Sequence, residues 1–313
     1  MTNNSTERLY RPLLFRLLVL TLLVFGCMLL MQGIATYLVT VTDLLQTEEI
    51  AYILNNPTLG TEVDGAWTGI MLLQAFTALG GFVLAPLIYV HFIEKNVENP
   101  LVAQTRTSAF LVMLVVLMVL FVVPFISYTA YLNAQMQLPA ALSEVESYIQ
   151  QKEENLKALT IFLTDFPSVT QFLIALVVIA VIPAVGEELL FRGLLQNFLI
   201  QHFGRRYHHG AVWLVAVIFS AIHVQFYGFI PRLLLGALFG YLYLWTQNLW
   251  YPIVAHFINN GATLLALYLY QQGATSVNLE DSSQVSWWAA FVSLLLTGAL
   301  VFLFKKRVYL TRE

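Results

Sequence analysis

The chain has 313 residues, of which 59% are hydrophobic and 11% charged, with a formal net charge of −3. A soluble domain of this size carries roughly a quarter charged residues, so composition excludes a water-soluble globule and points to a polytopic integral membrane protein. No basic stripe exists, which excludes nucleic acid as a partner, and the single cysteine, Cys27, excludes an intrachain disulfide.

From the N-terminus, Arg8, Arg11 and Arg16 precede an apolar run from about Leu17 to Val39. The run exceeds the roughly 7–15 residues of a signal h-region and lacks a small-x-small cleavage site, so it reads as a retained first span. A spanning helix needs about 20 mostly apolar residues. Runs of that kind lie near 13–39, 67–93, 108–133, 167–186, 210–224, 229–247, 250–271 and 286–305, which predicts an all-α protein of about eight transmembrane helices. Between the third and fourth spans, Leu142, Val145, Tyr148, Ile149, Leu156 and Leu159 recur at near-helical spacing among charges, as expected of an amphipathic helix at the membrane surface or of a polar connecting helix. No internal repeat or low-complexity tract interrupts the pattern.

Basic residues orient the spans. With both termini cytoplasmic, the inside segments hold Arg8, Arg11, Arg16, Lys95, Arg106, Arg205, Arg206, Lys305, Lys306, Arg307 and Arg312, eleven of the fifteen Lys and Arg. The outside segments are acidic, with Asp43, Glu48, Glu49, Glu62 and Asp64 in the first and Glu280 and Asp281 in the last. This asymmetry fits the positive-inside rule.

The stretch IPAVGEELLFRG, residues 182–193, places Glu187, Glu188 and Arg192 in apolar sequence. A charge at bilayer depth costs about 2.5–3.5 kcal/mol on insertion scales, so it is rarely kept without use. Pro183 and Gly186 predict a kink or a fresh helix start just before Glu187. Glu188 and Arg192 stand four apart in acid-before-base order and can pair along one face. Glu187 points about 100° away around the helix, outside that pair. A carboxylate so placed suits a general base that takes a proton from water.

Two more intramembrane polar sites follow. FSAIH sets Phe219 and His223 one helical turn apart, and HFINN does the same for His256 and Asn260. Taken singly, each fragment has a simpler reading: a structural ion pair, a packing histidine, or interhelical polar glue. Their ordered combination carries more. Glu-Glu-x3-Arg, then Phe-x3-His, then His-x3-Asn resembles the CPBP family, which comprises the type II CAAX prenyl proteases and the bacteriocin-processing and immunity-related proteins also called the Abi family. The resemblance covers about Val169 to Leu269 and leaves spans one to three and eight without a counterpart.

The resemblance implies an intramembrane endopeptidase acting on a membrane-associated peptide or protein near the cytoplasmic surface. Glu187 would activate water, His223 would help hold it, and His256 and Asn260 would stabilise the tetrahedral oxyanion. Glu188 and Arg192 would keep Glu187 placed, with Phe219 in support. Family members are often labelled metalloproteases. The chain has no His-Glu-x-x-His helix, which favours metal-free glutamate chemistry, while a zinc held by Glu187, His223 and His256 stays open as the second reading.

Depth poses a difficulty. A fourth span ending near 186 puts Glu187 at the inner end, where His256 also lies, whereas His223 closes a fifth span at the outer end. The three meet only if the 224–229 connection dips into the membrane, which Gly228 and Pro231 permit, and Arg232 would favour a wet cavity there. The chain therefore divides into N-terminal spans with the amphipathic segment (1–166), a catalytic helical core (167–271) and a C-terminal loop, span and basic tail (272–313). The alternative function is a non-catalytic immunity or scaffold protein that uses the same polar pocket for binding. A proton or ion transporter ranks below it, since inverted repeats are missing. The expected location is a bacterial inner membrane.

Overall fold

A computed structural model describes residues 11–94, 101, 103–276 and 285–310. Arg8, Lys95, Glu280, Asp281 and Arg312, used above for orientation, lie outside the described residues. Ten helices account for the described fold, with no strand among the described residues: α1 (Leu13–Val41), α2 (Thr47–Asn55), α3 (Ala66–Ile93), α4 (Ala109–Ala134), α5 (Ser143–Leu163), α6 (Val169–Phe203), α7 (His208–Ala221), α8 (Phe229–Thr246), α9 (Trp250–Gln271) and α10 (Trp287–Leu310). The protein is all-α and polytopic.

Seven of these, all but α2, α5 and α7, are long and apolar enough to cross a membrane. Two expectations are corrected. The fifth span expected at 210–224 is the 14-residue α7, which at about 1.5 Å per residue reaches roughly 21 Å and falls short of the roughly 30 Å hydrocarbon core. The fourth span does not end at 186, and no fresh helix starts at Glu187. The 35-residue α6 runs from Val169 through Pro183 and Gly186 to Phe203. Its polar second half stays helical within the bundle because neighbouring spans answer its side chains. Gln196 Nε2 donates to the Gly240 carbonyl at 3.1 Å and Asn197 Nδ2 to the Tyr243 hydroxyl at 2.7 Å, both on α8.

α6 is not uniformly wound. Wide turns with i to i+5 geometry occupy Leu176–Val181 and Leu189–Gln196, on either side of the Pro183–Glu188 segment. Such turns leave carbonyls without regular partners and recur at functional sites. Pro183 adds to this by bringing no N–H to the carbonyl four residues back, that of Ile179.

Three apolar clusters position α6. The first joins the ends of α1 and α5 to the starts of α3 and α6 through Val39, Ile53, Ile70, Phe162, Phe166 and Phe172. A second packs α4, α8, α9 and α10 around Met118, Phe239, Tyr251 and Phe304. The third sets the second half of α6 against α1, α3 and α7 through Leu20, Tyr89, Phe198 and Val215. At Gly186 the α3 backbone comes so close that a Cβ would stand 2.7 Å from that of Phe82; small residues permit such approaches between membrane helices. Arg16, expected among the solvent-side basic residues, is buried instead. Its Nε stands 2.6 Å from Glu94 Oε1, its Nη1 donates to Gln201 Oε1 at 2.8 Å, and its guanidinium lies 3.7 Å from the Phe198 ring centre. It thereby ties α1 to the ends of α3 and α6.

The polar segment between the third and fourth spans forms the helix expected of it, α5. Its last turn enters the first core through Phe162 and Leu163. Its earlier turns reach the connection between α7 and α8. There Glu153 Oε1 accepts from the Tyr227 backbone N–H at 2.9 Å, and Gln150 Nε2 donates to the Tyr227 hydroxyl at 3.2 Å. Asn133 of α4 holds the same connection from another side, donating to the Phe226 carbonyl at 3.1 Å and accepting from the Ile230 N–H at 2.8 Å.

Candidate active site

The site begins with the two carboxylates halfway along α6. Glu188 is fully buried, and its Oε1 accepts from Arg192 Nη1 at 2.7 Å. The i, i+4 pair read from the sequence is therefore made. Arg192, also fully buried, is met by other helices as well, although its Nε has no hydrogen-bond partner. Its Nη2 donates to the Gly236 carbonyl of α8 at 2.7 Å, and its guanidinium lies 4.9 Å from the ring centre of Phe219 and 5.6 Å from that of Phe239. Both rings present faces within cation–π range. Gly236 is required at this crossing, since a Cβ there would stand 3.1 Å from the Phe219 ring.

His256, on α9, joins the same carboxylate. Its Nδ1 lies 2.9 Å from Glu188 Oε1, an oxygen that only accepts once ionised against Arg192, so Nδ1 carries a proton. The ring is stacked against Phe239 at 5.4 Å and meets the edge of Phe219 at 6.1 Å. That leaves Nε2 facing Glu187 Oε2 at 3.9 Å. The distance is too long for a direct hydrogen bond. Glu187 is 8% exposed, and its Oε2 is buried without a hydrogen-bond partner. The adjacent glutamates are thus unequal. Glu188 is tied into the protein, and Glu187 keeps a free oxygen turned toward an imidazole.

His223 stands beyond the end of α7, in the turn leading to α8. Its Nδ1 lies 2.7 Å from the Phe219 carbonyl, which only accepts, so the proton sits on Nδ1 and the neutral ring presents a bare Nε2. The ring packs edge-on against Phe219 at 5.1 Å. Val224, the next residue, has φ +53°, a conformation that costs a β-branched residue about 1–3 kcal/mol. It ends α7 abruptly and fixes the turn around His223. Glu187 and Glu188 lie near the middle of α6, and the 14-residue α7 ends two residues before His223, whose ring meets the cluster through Phe219.

Asn260 lies one turn beyond His256 and makes a specific contact with α6. Its Nδ2 donates to the Ile179 carbonyl at 3.1 Å, the group that Pro183 leaves unanswered. Asn259 Nδ2 donates to Asn260 Oδ1 at 3.1 Å, which fixes the amide's orientation. One N–H of Asn260 remains for other use. Asn260→Ala is expected to lower stability by about 1–2 kcal/mol in denaturant unfolding in micelles, because it orphans a carbonyl between helices. Unchanged stability would show that the bond contributes nothing.

Glu187, Glu188, Arg192, Phe219 and His256 form one cluster, His223 borders it through Phe219, and Asn260 braces its α6 wall. Sequence reading missed Phe239, Gly236 and Asn259. Of these, only the doubled asparagine gave a local signal. A three-ligand zinc finds no ready seat. Two donors, Glu187 Oε2 and His256 Nε2, face each other, but no group of three His, Cys, Asp or Glu side chains able to hold a metal ion is assembled among the described residues.

The chain is thus a helical membrane protein with a buried, partly unsatisfied acid–imidazole cluster between its spans. Residues 169–262 match the family model described as type II CAAX prenyl endopeptidase Rce1-like, which supports a CPBP/CAAX protease relationship for this segment. The matched segment contains α6 to α8 and the first half of α9, and with them every site residue above. The Uncharacterized protein YpbD of Bacillus subtilis (strain 168) is 37% identical over 79 residues, which cover 24% of this chain and 36% of that protein. The chain thus spans about a third of the length of that curated relative. No solved structure matches.

Proposed function

We propose that the protein is an intramembrane endopeptidase that hydrolyses a peptide bond in a membrane-associated peptide or protein with water activated by Glu187. The observation that carries this reading is the 3.9 Å separation of Glu187 Oε2 from His256 Nε2, inside a cluster whose other charges are paired. Polar atoms at such a distance are readily bridged by one water. That water donates a hydrogen to Glu187 and accepts one from the imidazolium form of His256, so its oxygen is held with a lone pair free for attack.

The chemistry then balances simply. Glu187 takes the water proton as the oxygen attacks the scissile carbonyl carbon. The resulting oxyanion is held by N–H donors, for which His256 Nε2 and the second N–H of Asn260 are available. Glu187 returns the proton to the departing amine nitrogen, and the C–N bond breaks. Glu188 and Arg192 do not touch substrate; they hold His256 in place, the role a third group plays in other base dyads. His223, with its bare Nε2, steadies the water by accepting its second hydrogen. No step runs through a metal. The location proposed is a bacterial inner membrane.

Comparing the membrane peptidome of cells carrying the wild-type protein with that of cells carrying Glu187→Gln tests this. Peptides that accumulate uncut only in the variant are expected. Identical peptidomes, with equal rescue of a null strain by both proteins, would instead favour the non-catalytic scaffold.

A further inference from the structure

One half-buried cation beside the site has no part in this mechanism. Arg232 sits in the first turn of α8, nine residues after His223, where a charge at membrane depth is expensive to keep. Its Nη2 donates to Gln225 Oε1, which folds the guanidinium back over the turn that carries His223. Gly228 makes room for this fold, because a Cβ at that position would collide with the Arg232 guanidinium. Its Nη1 is buried and has no hydrogen-bond partner. Among the described residues, no carboxylate lies within ion-pairing distance of it. The acid whose field reaches it, Glu153, already accepts from the Tyr227 backbone N–H. The Arg232 charge in turn acts on the His223 ring. A guanidinium offers five N–H donors in a planar fork suited to carboxylate, and here the edge carrying Nη1 is unused.

We propose that Arg232 is a specificity residue that docks a carboxylate of the peptide substrate beside the His223 side of the site. This rests on the protease reading and deepens it. The carboxylate is either the substrate's own C-terminus or an acidic side chain near the cleaved bond. What sets Arg232 apart is the missing carboxylate: Arg16 is ion-paired with Glu94 and Arg192 with Glu188, whereas Arg232 is shaped by Gln225 and Gly228 and has no ion pair among the described residues.

Three apolar octapeptides labelled with an uncharged, carboxylate-free boron-dipyrromethene dye test the idea: one with a free C-terminal carboxylate, its C-terminal amide, and an amide with one internal glutamate. Binding is read by anisotropy on the detergent-solubilised full chain carrying Glu187→Gln, so that turnover is not needed. The free acid, the glutamate peptide, or both are expected to bind at least about tenfold more tightly than the neutral amide. Which of the two does so identifies the source of the carboxylate. Adding Arg232→Gln should erase the preference, and Arg232→Lys, which keeps charge but not the fork, should reduce it several-fold. If Arg232→Gln fails to give a monodisperse protein, Arg232→Lys alone carries the test. No preference in the parent, or an undiminished one in the Arg232 variants, overturns the proposal. Cleavage of the same peptides by protein with Glu187 intact is scored separately. A preference without cleavage would leave the docking site standing and sink the protease reading, and cleavage without preference would do the reverse.

Discussion

Glu187→Gln is expected to lower peptide-bond hydrolysis by about 10³-fold or more while leaving the protein as stable as before. The structure separates these two effects. Glutamine keeps the size of glutamate, so the close fit of α6 against α3 at Gly186 is undisturbed. Glu187 Oε2 makes no hydrogen bond within the protein that the substitution could break. What is lost is the carboxylate oxygen that faces His256 Nε2 across 3.9 Å. The check is a cleavage assay in micelles on a substrate found by peptidomics, paired with denaturant unfolding of both proteins. A stable, fully active Glu187→Gln enzyme would falsify the assignment of the base. A stable, inactive one whose activity returned with added zinc would shift the weight to metal chemistry.

The parts of this site that could be read from sequence are those in which chemistry repeats at helical spacing. Glu188 and Arg192 fall on α6 and His256 and Asn260 on α9 as expected, whereas His223, four residues after Phe219, lies in the turn just past the end of α7. Hydropathy found the spans wherever apolar residues run unbroken. It failed where polar residues are answered by other helices. Arg192, Gln196 and Asn197 look like the end of a span when counted along the chain, yet Gly236, Gly240 and Tyr243 of α8 accept their hydrogen bonds, and the helix continues to Phe203. The same blindness to long-range pairing placed Arg16 on the surface, when it is buried against Glu94 and Phe198. It also hid the brace from Asn260 to Ile179, whose need arises from Pro183 on α6 and is met from α9. Pro183 was legible as a disturbance, but its consequence, wide turns in a continuous helix and not a break, depends on those neighbours. α7 ends at Ala221, a few residues short of the span expected at 210–224, which leaves His223 in the turn that follows it. A turn closed by Val224 at φ +53° has no sequence signal, because β-branched residues seldom adopt it.

Glu188→Ala should behave oppositely to Glu187→Gln and cost about 3–5 kcal/mol of stability, because it strands a buried guanidinium. Arg192 and Glu188 are both fully buried, and Glu188 Oε1 is the shared acceptor for Arg192 Nη1 at 2.7 Å and His256 Nδ1 at 2.9 Å. Without it, Arg192 keeps one carbonyl and two aromatic faces against a full charge in a dry interior. Glu188→Gln retains an acceptor oxygen and should lose less. The decisive comparison is the double variant Glu188→Leu with Arg192→Met. Replacing both members of a buried pair by apolar groups leaves no unpaired charge, so the double variant should be more stable than Glu188→Ala alone, a non-additivity readable by a double-mutant cycle in micelles. It should nevertheless be inactive, since His256 then has no carboxylate to fix its tautomer and its angle toward Glu187. If the double variant were as unstable as the sum of its parts, Glu188 and Arg192 would be acting through separate contacts and not as a pair. If it kept full activity, His256 would need no carboxylate behind it, and the arrangement in which one glutamate works and its neighbour holds the histidine would have to be abandoned.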